Sequence, residues 1–130
     1  MSSTVPLGAV QPSQLYLDAA KLRRAADWFD FDDPTYDPIP VLNLGGETVV
    51  ADGHTRAFLA YLSGAPSLKV IPEPNREEYS MDLYRACVEW CHDEGIRAVP
   101  DFAGRVVSHQ TFVDEWVARC QASPYYDDGD

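Results

Sequence analysis

Val49-Val50-Ala51-Asp52-Gly53-His54-Thr55-Arg56-Ala57-Phe58-Leu59-Ala60-Tyr61-Leu62-Ser63-Gly64 is the stretch from which the fold of this chain is read. It opens apolar, turns through Asp-Gly, and then changes its spacing. Val49, Val50 and Ala51 read as the end of a buried strand. Beyond the turn Ala57, Phe58, Tyr61 and Leu62 recur at intervals of three and four, which predicts one face of a helix. Gly64 is its C-terminal stop. Asp52, His54, Thr55 and Arg56 therefore gather where a strand passes into a helix N-terminus. Unpaired backbone N–H groups and the positive end of the helix dipole favour an anion at such a point. An acid, an imidazole, a hydroxyl and a guanidinium within five residues compose a site, though they name no substrate.

Working outward, Ile39 to Leu44 and Glu47 to Ala51 are apolar runs separated by Gly45-Gly46, the pattern of a hairpin whose turn needs positive φ. Ser67 to Ile71 predicts a further strand, stopped by Pro72 and Pro74. Upstream, Leu15-Tyr16-Leu17 fits a short strand. Asp18 has the position of an N-cap for a helix from Ala19 to about Phe29. Leu22, Ala25, Ala26 and Phe29 form its inner face, and Lys21, Arg23 and Arg24 its solvated side. The Asp- and Pro-rich loop from Asp30 to Pro38 lacks the glycine and distal glutamate of an EF-hand, so it is not read as a calcium site.

The chain has 130 residues, enough for one domain with a real core. Fourteen Asp and seven Glu stand against only two Lys, Lys21 and Lys69, and eight Arg, for a formal net charge of -11. Adaptation to a salty cytoplasm and ordinary solubilising charge both account for that excess. It argues against specific DNA binding, because phosphate contacts need clustered cations. No apolar run approaches a membrane span and no signal-peptide pattern opens the chain, which predicts a cytoplasmic protein without membrane contact.

The order strand, helix, hairpin, helix, strand, with Ala51-Asp52-Gly53-His54-Thr55-Arg56-Ala57 after the hairpin, resembles the ParB/sulfiredoxin fold family over roughly Val10 to Glu73. The resemblance implies an α/β (α+β) domain, a small mixed sheet with helices, holding a nucleotide phosphate at this helix start. Sulfiredoxins carry a catalytic cysteine after the glycine, where this chain has His54, so their reductase chemistry does not transfer. ParB proteins place an acid and two arginines there and add a basic helix-turn-helix domain. The free-serine kinases of the fold carry Asp-Gly-His-His-Arg, which this chain matches except at Thr55. Their early glutamate base has no counterpart in Val10 to Gln14. The implied site residues are Gly53, His54, Thr55 and Arg56 for the nucleotide (ADP, ATP or CTP with Mg2+). In a kinase, His54 would position the phosphoryl group and Asp52 would bind Mg2+ or act as the base.

The resulting division is a loose N-terminus at 1–9, the ParB/sulfiredoxin-like domain at 10–75, a helical extension at 76–122 packed on it, and an acidic tail at 123–130. In the extension Leu83, Cys87, Trp90 and Cys91 define a helix from about Met81 to Glu94, closed by Gly95. Ser108 with Gln110 and Thr111 opens a last helix to about Ala122, with Phe112, Trp116 and Cys120 as its stripe. The helical C-x3-C of Cys87 and Cys91 sits at apolar positions and reads as core rather than as a zinc site with His92 and Cys120. Trp28, Trp90 and Trp116 read as core as well. The plainer alternative for the motif is a structural turn. Asp52-Gly53 is a common turn pair, Thr55 can cap a helix, and Arg56 can pair with any of many acids. On that reading the chain is a non-catalytic module for a protein partner or a second copy of itself.

Overall fold

The computed structural model describes residues 3–125; Met1, Ser2 and residues 126–130, most of the expected acidic tail, lie outside the described residues. The protein is α+β. Among the described residues seven strands run as β1 (Ser3–Pro6), β2 (Val10–Gln11), β3 (Leu17–Asp18), β4 (Ile39–Leu44), β5 (Glu47–Val50), β6 (Ser67–Pro72) and β7 (Val106–Val107). The longer helices are α1 (Ala19–Trp28), α2 (His54–Leu62) and α3 (Met81–Asp93). A last helical stretch joins α4 (His109–Phe112), a π turn (Val113–Val117) and α5 (Ala118–Gln121). No helix among the described residues is long and apolar enough to cross a membrane.

One mixed sheet has the order β1-β6-β4-β5-β2, and β3 pairs with β7 in a second, two-stranded one. The hairpin sets the register of the centre. Gly45 and Gly46 take φ of 60° and 90°, values that suit glycine and that a primed turn requires. Asn43 Oδ1 accepts from Gly46 N at 3.0 Å, and Val41 then faces Val50 and Leu42 faces Val49. β6 returns parallel to β4, which requires a crossover, and α2 is that crossover. The Asp52 turn thereby falls at the end of a central strand.

Two expectations need correction here. The N-terminus is not loose, because Ser3–Pro6 pair antiparallel with Ser67–Val70 and close one edge of the sheet. Strand pairing orders a segment whose own composition carries little apolar signal. The face of α2 is also wider than the spacing implies. Ala57, Phe58, Leu59 and Ala60 are all buried, whereas Leu62 is 53% exposed. The helix is covered on several sides, by α1, β6 and the 3-10 turn Val99–Phe102, so burial does not follow a single stripe.

The helix starts at Asp18 and Ser108 open as the sequence indicates, and Ser80, which the sequence reading did not single out, caps a third. Asp18 accepts from Ala20 N at 2.9 Å, Ser80 from Leu83 N at 3.1 Å, and Ser108 from Thr111 N at 3.2 Å. Asp18 is buried and also bonded to His109 Nδ1 at 2.6 Å, which ties the start of α1 to the start of α4. Burial by itself would raise the Asp18 carboxyl, but the His109 bond and the Ala20 and Lys21 N–H groups outweigh it and hold it low. The core is shared along the chain. Phe102 meets Phe58 edge-on at 6.3 Å, and Cys87, Cys91 and Trp116 belong to the same cluster as Val10, Ile39 and Leu68.

Candidate functional site

Val50 lies fully buried at the end of β5, and the chain must leave the sheet within three residues to begin α2. Gly53 makes this possible with φ of 90°, and serves as the N-cap residue. Asp52 Oδ1 accepts from Gly53 N at 2.9 Å, which ties one carboxylate oxygen to the turn. Unlike the starts of α1, α3 and α4, this helix start has no side-chain cap. Thr55 lies inside the helix, so the capping role that the plainer reading gives it is not filled.

The guanidinium of Arg56 folds back over the turn. A Cβ added at Gly53 would stand 2.9 Å from Arg56 Nη2 and 3.0 Å from Cζ. Gly53 is therefore required for its φ, while a Cβ there would only push the flexible end of Arg56 aside. Arg56 Nε is wholly buried and has no hydrogen-bond partner. Nor does Arg56 have a carboxylate within 4.0 Å among the described residues, where the ion pairs are Arg85–Asp82, His92–Glu47, Arg105–Glu94 and His109–Asp18. The acid partner expected of a merely structural arginine is thus not found among them.

The turn opens on a pocket of about 330 Å³ lined by Lys21, Arg24, Ala25, Trp28, Asp52, Gly53, Thr55 and Arg56. Three of the ten cations of a chain with 21 acids meet there, and neither Lys21 nor Arg24 is among the paired groups either. Lys21 and Arg24 are exposed, as a solvated helix side should be, but they are also half of a site that the sequence reading did not assign to them. A signal was present: positions 21, 24 and 28 lie on one face of α1. What the spacing lacked was the neighbour, since only the packing of α1 on α2 brings that face to the Asp52 turn. Trp28, expected in the core, is 57% exposed at the rim of this pocket. The inner positions of α1 are filled by Ala25 and Phe29, which leaves the indole outside.

His54 is the predicted site residue that the structure separates from the others. Its side chain turns inward, and the residue is 5% exposed. Nε2 accepts from Ser13 N at 2.9 Å, with Ser13 Oγ at 3.3 Å. That hydroxyl donates to Val50 O at 2.6 Å, so it is no nucleophile primed by the imidazole. The ring meets Phe102 edge-on at 5.9 Å. Burial, and then the charge of Lys21, push its pKa down to about 3. His54 is therefore neutral, with its proton on Nδ1, and joins the β2–β3 connection to the start of α2. His54, expected to position a phosphoryl group, instead points into the core from the first helical residue and does not line the pocket that holds Arg56.

A smaller pocket of about 210 Å³ lies on that inner side, lined by Ser13, His54, Tyr84, Cys87, Trp116 and Cys120 among others. Cys87 and Cys120 are free thiols beside each other; their interaction, with burial, drives the Cys87 thiol well up, while the same interaction lowers Cys120. Burial raises Cys91 to about 12. Both helical cysteines are held as thiols in an apolar core, as their spacing indicates.

Comparison with known protein families and with curated proteins gives no match. Among solved structures, the crystal structure of protein Atu1540 from Agrobacterium tumefaciens is similar over 68% of this chain, with a TM-score of 0.47 and 14% identity. This chain spans 49% of that one, about half its length.

Proposed function

We propose that the protein binds a nucleotide or another phosphate-bearing small molecule in the pocket between α1 and the start of α2. The observation that carries this reading is the convergence of Lys21, Arg24 and Arg56, none ion-paired among the described residues, on an uncapped helix N-terminus. Three cations held together repel one another, and in a chain of net charge -11 nearby carboxylates are the cheapest remedy. A bound anion resolves the same repulsion, accepts from the backbone N–H groups of α2, and gives Arg56 a partner. The resemblance of the Asp52–Arg56 motif to the ParB/sulfiredoxin fold family supports the same ligand class. A kinase activity would extend this reading. Asp52 is the one carboxylate lining the pocket, and it would be the group to bind Mg2+ or take a proton.

Isothermal titration with ADP, ATP and CTP, each with Mg2+, tests the proposal on wild type and Arg56→Ala. Losing a charge-assisted contact to phosphate weakens affinity by roughly ten- to a hundred-fold, from about 1.5–3 kcal/mol. Stability in urea should move by no more than about 1 kcal/mol, since the half-buried side chain makes no ion pair among the described residues and its buried Nε has no partner to lose. No binding below millimolar in the wild type removes the nucleotide reading. Equal binding by wild type and Arg56→Ala moves the site elsewhere.

A further inference from the structure

The three tryptophans of this chain are placed in two ways. Trp90 and Trp116 pack edge to face at 6.0 Å, and the Arg119 guanidinium lies 4.3 Å over the Trp90 ring. Trp28 has only a tilted contact with Phe29 at 6.1 Å, and no cation covers its face among the described residues. More than half of it is exposed, although a helix end in an acidic, polar loop region offers many cheaper residues for such a position. It lines the same pocket as the three cations and is one turn along α1 from Arg24. A pocket of about 330 Å³ also exceeds what a phosphate group needs.

We infer that the ligand carries a planar aromatic ring, a nucleobase, and that Trp28 is the face on which this ring stacks while Lys21, Arg24 and Arg56 hold its phosphates. This deepens the phosphate-binding reading and rests on it. An indole face attracts any base through dispersion and burial, with little sequence preference. It does nothing for a phosphate without a ring. The ligand class is thereby narrowed to nucleoside phosphates, and phosphorylated amino acids or sugars without an aromatic ring are excluded as the preferred occupants.

The test pairs two ligands with two variants. ADP and inorganic pyrophosphate are titrated into wild type, Trp28→Ala and Trp28→Phe, by calorimetry and by tryptophan fluorescence. The expected result is that Trp28→Ala weakens ADP by roughly five- to a hundred-fold and leaves pyrophosphate within two-fold. Trp28→Phe, which keeps a ring, should recover most of the ADP affinity. ADP should quench wild-type fluorescence, and Trp28→Phe should lose that quenching, since Trp116 is buried, Trp90 is half-buried beneath Arg119, and neither lines this pocket. If both ligands bind and Trp28→Ala changes neither, the stacking inference fails while the anion site stands. If Trp28→Ala weakens both equally, the indole only shapes α1, and the inference fails again. If neither ligand binds the wild type below millimolar, the phosphate reading fails and takes this inference with it.

Discussion

The two sides of the turn at residues 52–56 are built on opposite terms. On the outer side Lys21, Arg24 and Arg56 line an open pocket without ion-pair partners among the described residues, and an exposed indole stands at the rim. On the inner side, one residue from Arg56's neighbour, His54 is bonded to Ser13 and packed on Phe102. Buried polar groups must be paired inside the protein, because water is not there to replace a missing partner. Exposed Lys21 and Arg24 carry no such obligation, whereas Arg56, half-buried with its Nε buried and unpartnered among the described residues, is the group on the outer side that leaves it unmet. The difference separates what holds the turn in shape from what the turn can present.

The sharpest way to break this contrast is His54→Ala. It removes packing against Phe102 and leaves the Ser13 N–H without an acceptor, so unfolding in urea should show a loss of about 3 kcal/mol or more. A loss below about 1 kcal/mol would mean that the ring is not the clamp described. The next effect is on acid stability. His54 takes up its proton near pH 6.5 when unfolded but only near 3 when folded. Below pH 6.5 the unfolded chain therefore binds more protons, and stability falls as the pH falls, with a slope of up to about 1.4 kcal/mol per pH unit until near pH 3. In His54→Gln the amide oxygen can still accept from Ser13 N while nothing titrates, and that part of the slope should vanish. An unchanged slope between pH 6 and 4 would assign the acid sensitivity to other groups. A smaller effect on folding than that of His54→Ala is expected from Gly53→Ala. Positive φ costs an alanine about 1 kcal/mol, and its Cβ displaces the Arg56 guanidinium. Stability should fall by about 1–2 kcal/mol and ADP affinity should fall with it. A variant that keeps full affinity would show that the folded-back arginine is not the binding conformation.

Much of the scaffold was legible because it depends on local chemistry. Gly45-Gly46 announced the hairpin, since few other pairs accept two positive φ values. Asp18 and Ser108 cap helices through bonds to residues two or three further on, so their role needs no distant partner; Ser80 does the same and went unread. The change of period after Asp52-Gly53 located the turn for the same reason. The site was legible only in part. Arg56, Thr55 and Gly53 face the pocket as the motif implied, but His54 in the same motif does not. Residues one apart on a helix point about 100° from each other, and which of those directions is inside depends on what packs there.

What the sequence by itself determined, then, is the α+β character, the hairpin, the caps at Asp18 and Ser108, and the turn that leads from β5 into α2. These follow from backbone dihedral preferences and from hydrogen bonds spanning a few residues. Only the tertiary structure decided that Ser3–Pro6 would be an edge strand, that Trp28 would stand in the open, and that Lys21 and Arg24 would join Arg56. Each of those outcomes depends on a surface supplied by a distant segment: β6 for the first, and the packing of α1 on α2 for the others. No pattern within one helix encodes the neighbour against which it will lie.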